Sequence, residues 1–185
     1  MSIYIVGDVH GDIDLKKITS KSLKRRGVEI NEDDYMFFCG DWAAIWFGDE
    51  RDKTLIDWYT QKPWTSVVVL GNHENYNAID TYPIVEWNGA KCREVVPNKI
   101  YIVERGEVIT LENRTFFCFG GAASHDKEIR KEHITWWKQE LPNYKESCHA
   151  IDTLQKEKFK VDYVITHCGP QEILDLLSKV YDFPY

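Results

Sequence analysis

The chain has 185 residues, which is a usual length for one domain, and we expect a single domain over residues 1–185. Hydrophobic residues make up 43% of the sequence and aromatic residues 14%, a composition that argues against a disordered chain. The 23 basic and 30 acidic side chains give a net charge of −7. This balance argues against a nucleic-acid partner, because such partners bind basic surfaces.

The five cysteines are odd in number and form no C-x-x-C pair, which indicates reduced thiols rather than a disulfide framework. The apolar start of the chain breaks at Gly7, too early for a signal-peptide core. No stretch approaches the ~20 apolar residues of a membrane span. We therefore expect a cytoplasmic protein without a membrane partner.

The first half of the chain alternates short apolar runs with longer polar segments. Strands are predicted at Ile3–Val6, Tyr35–Cys39 and 67–70, and helices at 14–26 and 50–61. Strands and helices that alternate at this spacing are typical of βαβ units around a buried sheet.

The second half of the chain contains more strands before its helices begin. The predicted elements are strands Ile100–Val103, Glu107–Leu111, 115–119 and 161–166, a turn at 112–114, and helices at 125–141, 144–159 and 171–180. Together the two halves predict an α/β fold with one mixed sheet or two sheets.

Polar side chains follow four of the predicted strands. In chain order they are Asp8 and His10, Asp41, Asn72 and His73, and His167. Open α/β sheets bind ligands at the carboxyl ends of their strands, so these side chains are expected to meet. Asp8 and His10 are two positions apart and point to one side of an extended segment, whereas the adjacent Asn72 and His73 diverge. Carboxylate, imidazole and amide donors together favour manganese, iron or zinc over calcium.

Four motifs resemble, in the same order, those of the calcineurin-like metallophosphoesterases: Gly7-Asp8-Val9-His10-Gly11, Gly40-Asp41, Gly71-Asn72-His73-Glu74 and Thr166-His167. Segments 86–89, 119–126 and 136–138 resemble a bacterial and phage branch of that family. The resemblance implies a two-sheet β-sandwich flanked by helices, with the active site at the carboxyl ends of the strands.

The resemblance also implies a dinuclear centre of two divalent or trivalent metal ions. Manganese is the first expectation, with iron, zinc or nickel as alternatives. Asp8 and His10 would bind the first ion, Asp41 would bridge both ions, and Asn72 and His167 would bind the second. Such a pair of ions polarises phosphoryl oxygens and generates hydroxide at neutral pH.

The implied reaction is hydrolysis of a small phosphomonoester or phosphodiester by the metal-bridging hydroxide, with His73 as the general acid. Two alternatives stay open at this point. One is a nuclease that uses the same site, against which the acidic composition argues. The other is a catalytically degenerate interaction module on the same fold. The oligomeric state is left open.

Two departures from the family pattern limit the resemblance. The downstream Gly-His-x-His motif is absent. We expect the C-terminal part of the fold to be missing, with true loss of the motif as the alternative, and this form to be an impaired hydrolase with weak metal occupancy. Ala44 also stands where protein phosphatases of the superfamily carry a carboxylate that orients the catalytic histidine. The orienting partner of His73 is therefore left open.

Three residues are candidates for contact with the substrate. Trp42 follows a predicted ligand and, with Trp46 and Phe47, would form an aromatic wall. Ser124 and His125 follow a strand and a Gly-Gly turn and would approach the metal ions.

Overall fold

The computed structural model describes residues 1–181, so the last residues of the predicted domain, 182–185, lie outside the described part. Its strands form a six-stranded sheet in the order β1-β2-β3-β6-β5-β4 and a three-stranded sheet in the order β7-β8-β9. The strands are β1 Ile3–Val6, β2 Tyr35–Cys39, β3 Thr65–Val69, β4 Ile84–Trp87, β5 Ala90–Val96, β6 Ile100–Val103, β7 Glu107–Leu111, β8 Arg114–Phe119 and β9 Tyr163–Thr166.

Helices cover one face of the large sheet and one face of the small sheet. The α-helices are α1 Ser20–Arg25, α2 Glu50–Thr60, α3 Tyr76–Ile79, α4 Tyr144–Lys156 and α5 Gln171–Tyr181, and short 3-10 turns cover Leu15–Ile18, Lys127–Ile129 and Lys138–Glu140. None of these helices in the described residues has the length and apolarity that crossing a bilayer requires.

Successive side chains of the central strands point to opposite faces of the large sheet and so contribute to two separate cores. Met36 and Phe38 of β2 pack with Tyr59 of α2 on one face of the large sheet, while Phe37 between them faces Phe116 of the small sheet. A third cluster packs Ala150 of α4 against the outer face of the small sheet. The layers are therefore helix, sheet, sheet and helix, which confirms the predicted two-sheet fold flanked by helices.

The sheet topology brings the loops of the site to one edge. Strands β1, β2, β3 and β6 are parallel neighbours, and β9 runs parallel to β8 in the second sheet. The carboxyl ends of parallel strands lie at the same edge, so the loops after β1, β2 and β3 are neighbours. The apolar, β-branched and aromatic composition of these strands suits a sheet covered on both faces.

The prediction of a helix over 125–141 was wrong. This segment contains two 3-10 turns joined by a loop, in which His133 has a φ of 63°. The Thr135 hydroxyl accepts a hydrogen bond from the Lys131 N–H, and buried Trp137 and Glu140 turn toward the interior. These contacts replace the helical hydrogen bonds of the segment.

Two smaller differences concern turns. The predicted helix over 14–26 is divided at Thr19, whose extended backbone caps α1 by accepting from the Ser22 N–H. The hairpin of β4 and β5 was not predicted, although Asn88-Gly89 is a common hairpin turn and both residues have positive φ.

Candidate active site

The polar side chains predicted at the strand ends meet at one edge of the fold. The loops after β1 and β2 are docked together, because the Asp41 carbonyl accepts from the Val9 and His10 N–H groups at 3.2 and 2.8 Å. His10 and Asp41 both adopt the left-handed region, with φ of 50° and 46°. Such conformations are uncommon for residues other than glycine and often occur at functional sites.

A first group of donors, here the His10 cluster, consists of Asp8, His10, Asp41 and His73. The Nε2 atom of His10 lies 3.5 Å from Asp41 Oδ2 and 3.8 Å from Asp8 Oδ2. Ligand atoms of His10, Asp41 and His73 all lie within 4.8 Å of one another. The carboxylates of the first two loops therefore face a common point, and this donor set suits a divalent cation.

A second group, here the His167 cluster, consists of His167, Asn72 and the other oxygen of Asp41. His167 Nδ1 lies 2.9 Å from the Cys39 carbonyl oxygen, which only accepts, so Nδ1 carries the hydrogen. The other ring nitrogen, Nε2, faces Asn72 Oδ1, 3.0 Å away, and Asp41 Oδ1, 3.4 Å away. These three atoms face one another, an arrangement that suits a metal cation between them.

A buried hydrogen-bond chain fixes the orientation of Asn72. Its Nδ2 group donates to Ser124 Oγ at 3.1 Å, and Ser124 Oγ donates to Glu140 Oε2 at 2.6 Å. The Ser124 N–H also donates to Glu140 Oε1 at 2.8 Å. Because this chain occupies the amide nitrogen, the amide oxygen of Asn72 points toward His167. Outer contacts of this kind orient metal ligands in many sites.

His73 lies between a carboxylate and a guanidinium. Its backbone N–H donates to Asp41 Oδ1 at 2.8 Å, and its Nδ1 atom lies 2.7 Å from Asp41 Oδ2. Its Nε2 atom contacts Arg130, and a guanidinium only donates, so Nδ1 carries the ring hydrogen. Asp41 is thus the orienting partner that the sequence left open. Arg130 is itself held by Asp126 at 2.6 Å and by the Thr135 carbonyl at 3.0 Å.

Comparison with known families agrees with this geometry. A family profile described as calcineurin-like phosphoesterase matches residues 1–182. The chain belongs to the calcineurin-like phosphoesterases. A search among curated proteins and a search among solved structures each gave no match. Membership supports a metal-dependent phosphoester hydrolase in general, and the His10, Asp41 and His73 group is a possible metal site of this phosphoesterase.

The phosphoesterase keeps Asp41 ionised although its side chain is only 4% exposed. Burial raises the pKa of Asp41, but the hydrogen bonds from His73 and the neighbouring His167 outweigh burial and lower the pKa overall. By contrast, burial and then the Asp8 carboxylate raise the pKa of Cys39 to about 11, so its thiol stays protonated. Asp41 is therefore a charged donor of the site and Cys39 is not.

Glu74 holds the loop after β2 through hydrogen bonds to its backbone. It is fully buried, and its carboxylate accepts from the Trp42 and Ala43 N–H groups at 2.8 and 3.1 Å. Burial, followed by the Asp41 charge, raises the pKa of Glu74 to about 8, against backbone hydrogen bonds that lower it. The Glu74 carboxylate is engaged by the second loop, whereas Asp41 holds the His73 ring.

Close backbone approach requires glycine at two positions of the site. A Cβ atom on Gly71 would overlap the Asp41 carboxylate, and one on Gly40, which has a φ of 91°, would overlap the His167 ring. These glycines let the third and second loops approach the ligands that the neighbouring loops carry.

The proposed substrate contacts of Trp42 and Ser124 were wrong. Trp42 is fully buried and packs on Phe38 and Tyr59, so it belongs to the core. Ser124 is 6% exposed and positions Asn72 instead of facing a ligand. His125 is exposed, and its contact with substrate stays a prediction.

Sequence reasoning missed Arg130, Glu140 and the loop contacts of Glu74. Arg130 and Glu140 lie in the segment that was predicted as a helix, where no motif marks them. Glu74 lies in a recognised motif, but its spacing from Trp42 gives no indication of the contact. Each of these residues acts through a partner distant in sequence.

Proposed function

We propose that this chain hydrolyses small phosphomonoesters or phosphodiesters with the help of divalent cations held in the His10 and His167 clusters. Asp8 and His10 are the proposed ligands on one side, Asn72 and His167 on the other, and Asp41 contributes to both. The observation that carries this proposal is the convergence of His167 Nε2, Asn72 Oδ1 and Asp41 Oδ1, three atoms that a cation would hold together. Cations bound there would polarise a phosphoryl group and activate water.

Arg130 and His73 supply the remaining chemistry in this proposal. The Arg130 side chain is 16% exposed and contacts His73 Nε2. A phosphoryl anion is a stronger partner for a guanidinium than a neutral imidazole, because the hydrogen bonds are charge-assisted. Bound phosphate would therefore draw Arg130 away from Nε2. The freed Nε2 would take up a proton from water and donate it to the leaving oxygen, while Asp41 accepts the Nδ1 hydrogen and stabilises the imidazolium.

The experiment is an assay of p-nitrophenyl phosphate and bis-p-nitrophenyl phosphate hydrolysis with Mn²⁺ and with EDTA. We expect hydrolysis that requires the metal. In the same assay Arg130→Gln should lower kcat/KM by about 10- to 100-fold, the usual worth of a hydrogen bond between charged groups.

Arg114→Gln is the matched control, because Arg114 is an exposed arginine that pairs with Asp162 at the surface. Absence of hydrolysis with Mn²⁺, iron, zinc or nickel would overturn the proposed function and favour an interaction module on the same fold. Full activity in Arg130→Gln would overturn the role given to Arg130.

A further inference from the structure

A cleft of about 270 Å³ opens directly beside the His10 cluster. His10 and His73 line this cleft, and Trp46, Phe47 and Ile13 contribute apolar walls. The rings of His10 and His73 are 5.1 Å apart at their centroids, so the cleft and the His10 cluster share these two residues. One substrate could therefore place its phosphoryl group at the metal ligands and another part of the same molecule in the cleft.

Large apolar side chains that are not part of the core are exposed along the walls of the cleft. Phe47 is 51% exposed and Ile13 is 68% exposed, whereas Trp42 and Ile45 of the same loop are buried. Apolar side chains grouped beside a polar site are typical of ligand pockets. The exposure is thus concentrated where a substrate would extend from the site.

Aromatic packing holds the Trp46 side chain in place. Its ring lies edge-on to the buried Trp137 at 5.5 Å and is 6.5 Å from the His73 ring. On the outer side, the Arg51 guanidinium lies 3.8 Å above the Phe47 ring, and Asp49 pairs with Arg51. Two aromatic side chains with fixed neighbours therefore line the cleft before any ligand binds, which lowers the entropy lost on binding.

The size of the cleft suits one planar ring system. Its volume exceeds the roughly 150 Å³ that accommodates benzene in an apolar cavity, yet it is small for a peptide or an oligonucleotide. Aromatic rings gain from edge-to-face and offset contacts beyond the area they bury. An alkyl chain gains only from the buried area.

We infer that this cleft is the subsite for a planar aromatic group of the substrate, so that the preferred phosphoester carries an aryl group or a nucleobase. The inference rests on the proposed function and names the substrate class of the same site. Trp46 and Phe47 are the residues that determine this specificity, while the His10 and His167 clusters bind the phosphoryl group.

The test measures binding without turnover, using phosphonate and phosphate ligands in the presence of Mn²⁺. Isothermal titration compares phenylphosphonate with propylphosphonate, and adenosine 5′-monophosphate with ribose 5-phosphate, under conditions in which no hydrolysis is detected. We expect the aromatic member of at least one pair to bind about tenfold more tightly. The pair that shows the preference distinguishes an aryl group from a nucleobase.

Variants locate the preference in the cleft. Trp46→Leu and Phe47→Leu should each reduce the preference for the aromatic ligand, and Phe47→Leu changes a side chain that is half exposed. Trp58→Leu is the matched control, because Trp58 packs outside the cleft, on Tyr59 and under Lys62. Circular dichroism verifies that each variant is folded.

The outcomes separate this inference from the proposed function. Equal affinity within both pairs, no binding of the aromatic ligands, or an unchanged preference in both cleft variants overturns the inference. If propylphosphonate binds in a Mn²⁺-dependent manner and the ester substrates are hydrolysed, the proposed function stands even when the aromatic subsite is overturned. If the aromatic ligands bind through Trp46 but no ester is hydrolysed, the cleft stands and the proposed reaction fails.

Discussion

Asp41→Asn is expected to lower Mn²⁺-dependent hydrolysis of bis-p-nitrophenyl phosphate by at least about 100-fold, more than the loss of a typical outer-shell contact. Asp41 is the donor shared by the His10 and His167 clusters, and it also holds both the backbone and the ring of His73. Replacement of one carboxylate oxygen by an amide nitrogen removes the charge and adds a donor that points at the other ligands. The measurement is kcat/KM at saturating Mn²⁺.

Asp33→Asn is the matched control for this substitution. Asp33 is exposed and lies just before β2, whereas Asp41 lies just after the same strand, so the two variants compare opposite ends of one element. Thermal unfolding of both variants separates a lost site from a lost fold. Activity of Asp41→Asn close to that of the wild-type chain contradicts the account.

Glu74 is expected to make the stability of the protein fall as the pH rises. Its pKa is about 8 in the folded state, raised from 4.5 by burial and then by Asp41. The folded state therefore keeps a proton that the unfolded state loses between these values. The stabilisation is complete below about pH 4.5 and is lost as the pH approaches 8, with a slope of up to about 1.4 kcal/mol per pH unit.

Urea unfolding between pH 5 and 9 in EDTA measures this effect. Glu74→Gln should lack this component of the slope, because the amide does not titrate. Glu50→Gln, which changes a 90% exposed glutamate of α2, should keep the wild-type slope. A wild-type slope that Glu74→Gln leaves unchanged would assign the pH dependence to other groups.

The sequence was sufficient to predict which strands end in polar side chains. The apolar runs of β1, β2 and β3 are short and bounded by glycine, and parallel packing brings their carboxyl ends together whatever the details of the loops. The meeting of Asp8, His10, Asp41 and Asn72 follows from that topology. Their spacing along the chain was the relevant signal.

The directions of side chains within the loops could not be predicted. Trp42 and Trp46 both follow Asp41, but Trp42 enters the core and Trp46 lines the cleft. The positive φ values of Asp41 and Ala43 set these directions, and neither residue type marks such a conformation in a sequence. The predicted aromatic wall therefore lies in the expected segment, but Trp46 and Phe47 form it and Trp42 does not.

The supporting contacts of the site were also beyond prediction. Glu140 reaches Asn72 through Ser124, and Arg130 reaches His73, across separations that no local pattern encodes. Both contacts depend on the irregular segment between β8 and α4. Its composition favours a helix, but burial of Trp137 and Glu140 overrides that preference.

The most direct measurement is a titration of the protein with Mn²⁺, in which electron paramagnetic resonance reports the free ion. We expect saturable binding by the wild-type chain that Asp33→Asn retains and Asp41→Asn weakens at least about tenfold. No saturable binding, or equal binding by wild type and Asp41→Asn, would contradict the claim that these strand-end side chains form a metal site.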